Sequence, residues 1–79
     1  MKVRFVGETF GGGVTGLTNG KVYDCVGVEY DLLRIVDDEG EDYLYSSKSP
    51  GPFYDSSIKG KWEIVEDDEK GTLRNLISN

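Results

Sequence analysis

The chain of 79 residues has no histidine and a single cysteine, Cys25. Without histidine the commonest general acid–base and the commonest metal ligand are missing, and no Ser-His or Cys-His nucleophile can be assembled. One cysteine makes no disulfide within the chain and no cysteine-based metal cluster. Basic clusters are missing too. Nine Lys and Arg are scattered singly among fifteen Asp and Glu, for a formal net charge of −6. Nucleic-acid phosphate and anionic membranes are bound through clustered cations, so neither is an expected direct partner. No apolar run approaches the roughly 18 residues of a membrane span, and Met1-Lys2-Val3-Arg4-Phe5 carries no apolar export segment. A free thiol without an export signal points to a reducing cytoplasm. These absences predict a cytoplasmic, non-enzymatic protein with no metal and no cofactor.

What is present fits one domain over residues 1–79, near the lower size at which an apolar core holds unaided. One tryptophan, five tyrosines and three phenylalanines supply much of that core, since each ring can bury on the order of 150–250 Å². Lys2 to Val6 alternates like a short strand with one polar face. Residues 7–20 hold six glycines and read as a long mobile loop, with Phe10, Val14 and Leu17 as anchors. Asn19-Gly20 signals a turn.

Lys21 to Tyr30 is rich in valine and tyrosine and predicts the longest strand. Val22, Val26, Val28 and Tyr30 share one parity with Asp24, while Tyr23, Cys25 and Gly27 share the other, so neither face is clearly the buried one. Gly27 in mid-run predicts a bulge or sharp bend. Leu32 to Val36 follows as a strand, Asp37-Asp38-Glu39-Gly40 as a tight turn, and Glu41 to Tyr45 as a third strand of the hairpin region. Residues 46–60 form a polar connection pinned by Phe53 and Tyr54, and Lys61 to Glu66 a last strand. Asp67-Asp68-Glu69 is an acidic break. In the tail, 70–79, the spacing of Leu73, Leu76 and Ile77 fits one or two helical turns, with fraying as the alternative.

Five short strands with turn signals between them predict an all-β fold, a small SH3-like barrel of about five strands. Leu17-Thr18-x-Gly20-Lys21-x-Tyr23, Arg34-Ile35-Val36-Asp37-Asp38-x-Gly40-Glu41-Asp42-Tyr43-Leu44-Tyr45 and Glu63-Ile64-Val65-Glu66 carry a resemblance. They are similar to a group of very small bacterial and phage-associated SH3-like barrel proteins of unknown function. The likeness runs from Leu17 to Glu66 and covers about half the chain. It implies the barrel and brings no catalytic or binding residue with it. Residues 46–60 and the N-terminal strand with its glycine loop depart from that group.

The chemistry-bearing motifs mostly fail their context. Gly11-x-Gly13-x-x-Gly16 matches a dinucleotide fingerprint, but Leu17-Thr18-Asn19-Gly20 leads into β-rich sequence where a phosphate-facing helix is needed. Gly20-Lys21 is followed by Val22, which breaks a phosphate-binding loop. Counted from Asp37 as a calcium loop, the positions that need glycine and glutamate hold Asp42 and Lys48. The acidic stretches therefore read as solvated hairpin tips. Tyr30, Tyr43, Tyr45, Tyr54 and Trp62 are the candidate partner contacts, a shallow aromatic groove for an extended peptide; the competing reading makes the same rings core and rim. Two functions follow from these features. One is a protein-interaction module for an unidentified protein or peptide, using an aromatic patch or a strand edge. The other is an acidic inhibitor that imitates nucleic-acid charge on a DNA-binding partner. Edge strands and the tail allow a monomer or a weak homodimer.

Overall fold

The first strand, β1 (Lys2–Gly7), turns Val3 and Phe5 inward, both fully buried, between Lys2, Arg4 and Val6 on the other side. Its period of two is the expected signature of a half-buried strand. The computed structural model describes residues 1–11, 15–52 and 57–77. Four more strands follow: β2 (Val22–Glu29), β3 (Leu32–Val36), β4 (Asp42–Ser46) and β5 (Gly60–Glu66). They form one antiparallel sheet in the order β4-β3-β2-β1-β5, so the first and last strands pair. A short helix, α1 (Thr72–Leu76), ends the fold and buries Leu73. This is the small all-β fold with a C-terminal helical turn that the sequence predicts. Among the described residues no helix is long and apolar enough to cross a membrane.

The ambiguity of β2 has a physical cause. Cys25 pairs with Ile35 and Gly27 with Arg34, so Val26 is an extra residue bulged out of the ladder. A one-residue slip exchanges the two faces of a strand. Before the bulge Tyr23 and Cys25 point inward; after it Val28, opposite Leu33, packs on the core while Val26 stays 58% exposed. Neither parity is buried throughout, because the strand changes face halfway along.

Trp62 sits at the centre of the core at 1% exposure. Phe5, Tyr23 and Tyr45, from β1, β2 and β4, stand edge-on to it at centroid distances of 5.8, 6.4 and 6.3 Å. Edge-to-face rings at this spacing add about 0.5–1.5 kcal/mol per pair beyond area burial. The backbone must come close around this cluster. A Cβ on Gly60 would press on the Phe5 ring and meet the Pro50 carbonyl oxygen at 2.9 Å.

The glycine-rich segment is more ordered at its ends than its composition suggests. Phe10 and Leu17 exchange backbone hydrogen bonds of 3.0 Å and are both buried. The Gly20 N–H reaches the Phe5 carbonyl at 2.7 Å, and Asn19-Gly20 makes the expected turn, with φ +83 at Gly20. Val14, the third expected anchor, lies outside the described residues, as do Phe53 and Tyr54 in the 46–60 connection. That connection is fixed by buried Pro50 and Pro52 and by Ile58 against the core.

Candidate functional site

The acidic turn after β3 is built into the fold. Asp37 is 5% exposed. Its Oδ1 accepts the Glu39 N–H at 3.0 Å, the local bond that makes aspartate a turn former, and its Oδ2 accepts the Tyr45 hydroxyl at 2.7 Å. Burial, and then the neighbouring Asp37 carboxylate, push the Tyr45 hydroxyl far above the ordinary tyrosine range. Asp38 faces the other way and ties down the glycine loop. It accepts from Lys21 Nζ, Thr18 Oγ1 and Tyr23 Oη, each at 2.8 Å, and its backbone N–H bonds to the Gly16 carbonyl at 3.1 Å. Desolvation opposes ionisation of Asp38, but the three donors together outweigh it and hold the carboxyl below its usual range.

The sequence reading of a solvated tip therefore fits Asp38, Glu39 and Glu41, although Asp38 is also bonded into the fold, and needs correcting for Asp37, which is buried. Asp68 is exposed as expected and Asp67 half-buried, but both also hold structure in place. They cap α1: Asp67 accepts the N–H groups of Leu73 and Arg74 at 2.9 and 3.1 Å, and Asp68 that of Thr72 at 2.9 Å. Orphan N–H groups at a helix start explain why carboxylates stand there. Among the described residues no group of three or more His, Cys, Asp or Glu is placed to hold a metal ion.

The four aromatic candidates among the described residues, Tyr30, Tyr43, Tyr45 and Trp62, do not meet in one groove. Tyr45 and Trp62 are core residues, 4% and 1% exposed, because strand parity turns both inward. Their polar atoms are already satisfied, Tyr45 by Asp37 and the Trp62 indole N–H by the Ser46 carbonyl at 2.9 Å. Tyr43 packs partly against the core and reaches Glu41 at 3.3 Å. Tyr30 is 96% exposed at the turn between β2 and β3, and Tyr54 lies outside the described residues. Tyr30 also has φ 58, the left-handed region that a bulky residue rarely adopts.

A cleft lies elsewhere, at the seam between β4 and β5. These are the two end strands of the sheet, and they do not pair with each other. The cleft has a volume of about 470 Å³ and is lined by Ser47 and Lys48 after β4, Lys61 and Trp62 of β5, and Asn75, Leu76 and Ile77 of the tail. Trp62 is its floor. The Ser47 N–H bonds to the Asp31 carbonyl at 3.3 Å, which sets the Tyr30-Asp31 turn against the same end of the barrel. Ser47 is 2% exposed, and its Oγ is buried with no hydrogen-bond partner among the described residues.

Of the described sequence candidates, then, Trp62 lines this cleft, while Tyr30, Tyr43 and Tyr45 do not line it. Ser47, Lys48, Lys61 and Asn75 were not singled out by the sequence. No local signal marks them, because the lysines are 13 positions apart and only the crossover of β5 onto β1 brings them together. In comparisons with known proteins the chain matches no family model, no curated protein and no solved structure.

Proposed function

We propose that this chain is a non-enzymatic, cytoplasmic protein-interaction module that docks an extended segment of a partner along the seam between β4 and β5. The observation behind this reading is the seam itself: two end strands, each paired on one side only, flanking a cleft in a domain otherwise filled by its own rings. An unpaired strand edge offers main-chain donors and acceptors, and a neighbouring pocket offers side-chain selectivity. The cleft volume falls in the usual range for ligand sites, roughly 300–1,000 Å³. The likeness of residues 17–66 to small bacterial and phage-associated SH3-like proteins belongs to the same reading.

Capture of partners from a native cytoplasmic extract tests the proposal when seam variants are compared with a variant of the outer sheet face. Lys61→Glu and Leu76→Lys should lose the partner, whereas Val22→Lys, on the exposed face of β2, should keep it. Loss in Val22→Lys with retention in both seam variants would place the contact elsewhere. The acidic-mimic alternative predicts steep loss of binding with added salt. Asp37 and Asp38 contribute little to it because both are engaged inside the chain, and Glu29 and Asp42 both pair with Arg34.

A further inference from the structure

We infer that the seam cleft recognises a carboxylate, so that the docked segment is an acidic peptide whose side-chain or terminal carboxylate sits between Lys48 and Lys61. This rests on the docking reading above and names the chemistry of its ligand.

The charge distribution carries the argument. The protein has a formal charge of −6, yet no acidic residue lines this cleft among the described residues. Arg4, Lys21 and Arg34 are neutralised by carboxylates in the fold, while Lys48 and Lys61 have no ion pair among the described residues and border the same cavity. Among the residues that line the cleft, Lys48 and Lys61 are the charged ones.

A buried hydroxyl points the same way. Ser47 Oγ is the one buried side-chain polar atom without a partner among the described residues, and it belongs to a residue of the cleft. Sealed hydroxyls are normally paired, and an unpaired one is a standing demand for an acceptor. An oxyanion supplies acceptors to two ammonium groups at once, and charge-assisted bonds of this kind are the strong ones; it reaches the sealed Ser47 hydroxyl when the residues covering that atom shift on docking. Asn75 adds an amide donor at the margin, and Leu76 with Ile77 forms an apolar wall for the rest of the segment. The residue type matches a peptide carboxylate better than a nucleic-acid backbone, whose binding needs many more cations than two.

The test is a selection of random decapeptides with free carboxyl termini on the intact protein, repeated on Lys48→Glu and Lys61→Glu. The probes that emerge are then titrated by amide NMR against their Asn/Gln counterparts and against inorganic phosphate. The expected result is enrichment of Asp, Glu or a C-terminal anchor, with saturable shifts at Ser47, Lys48, Lys61 and Asn75. Affinity should fall at least tenfold in the amide counterparts and in either glutamate variant, and Ser47→Ala should lose part of it. Both variants change exposed side chains, and their own amide spectra report that the fold is intact. Enrichment of uncharged peptides that still need Leu76 would overturn carboxylate recognition and leave the docking reading standing. Peptides retained by Lys48→Glu, Lys61→Glu and Leu76→Lys alike, or no enrichment at all, would overturn both. Saturable phosphate binding stronger than that of any peptide would overturn the peptide assignment, and unsaturable shifts spread over Lys2, Lys59 and Lys70 would overturn the site.

Discussion

Replacing Tyr45 by phenylalanine removes one oxygen and leaves the ring, so the edge-on contact with Trp62 at 6.3 Å is retained. What is lost is the 2.7 Å bond to Asp37 Oδ2, in a carboxylate that is only 5% exposed and keeps the Glu39 N–H as its other donor. A hydrogen bond to a charged group contributes about 1.5–3 kcal/mol, and leaving a buried acceptor short of a donor lies at the upper end of that range. We expect Tyr45→Phe to lose about 2 kcal/mol. At about 4–8 °C per kcal/mol for a domain of this size, the Tm falls by roughly 8–16 °C. A chain of 79 residues has a total stability of roughly 4–12 kcal/mol, so the variant stays folded.

Urea unfolding followed by the fluorescence of the single tryptophan measures the change. Tyr43→Phe is the control, because its hydroxyl makes only a 3.3 Å contact to exposed Glu41, and it should stay within about 0.5 kcal/mol. A double-mutant cycle with Asp37→Asn should return a coupling of about 1–2 kcal/mol. The pH dependence has a definite sign. A tyrosine raised on folding contributes stability that is complete below its unfolded pKa, about 10, and is lost as the pH climbs toward the folded value. The gap between wild type and Tyr45→Phe should therefore narrow above pH ~10. A variant as stable as wild type, or a coupling near zero, would refute the sealed Asp37–Tyr45 pair.

Three further expectations concern strain, acid and close packing. Tyr30 occupies φ 58 at 96% exposure, so Tyr30→Gly should stabilise the protein by about 1 kcal/mol in the same unfolding assay. Asp38, Asp67 and Asp68 are all lowered on folding: Asp38 and Asp67 against desolvation, by the three donors around Asp38 and by the backbone N–H groups on Asp67, and Asp68 by the Thr72 hydroxyl and N–H. Their contribution is complete above the ordinary aspartate range, about pH 4, and disappears as the pH falls through the lowered values. Thermal unfolding against pH should show this acid limb, and Asp38→Asn, already weaker at neutral pH, should flatten it. Gly60→Ala forces a methyl into the Phe5 ring and should lose at least about 2 kcal/mol, while Gly27→Ala, with nothing within 4 Å, should be neutral or slightly stabilising.

Most of the fold is legible in the sequence because its strands obey simple alternation. Val3 with Phe5, Leu33 with Ile35 and Tyr43 with Tyr45 each mark a buried face, and Leu73, Leu76 and Ile77 mark the helical turn. The buried face of β2 was not legible, since the bulge at Val26 exchanges faces within the strand and period-two reasoning has no way to carry a phase change. The acidic residues were legible only in part. Composition presents Asp37, Asp38, Asp67 and Asp68 as exposed charge, as Asp38 and Asp68 are, but each also has donors supplied by distant strands or by a helix start. The candidate site was the least legible part. Trp62 was recognised as important, but its neighbours Ser47 and Lys48 follow β4 and meet Lys61 only through the sheet order, which is non-local information.

The central claim is that partners dock at the β4–β5 seam. Amide hydrogen exchange of the protein alone and saturated with a captured partner tests it most directly. The account predicts slowed exchange at residues 46–48, 60–62 and 75–77, with the outer face around Val22 and Val26 unchanged. Protection confined to that outer face, with the seam exchanging as in the free protein, would contradict it.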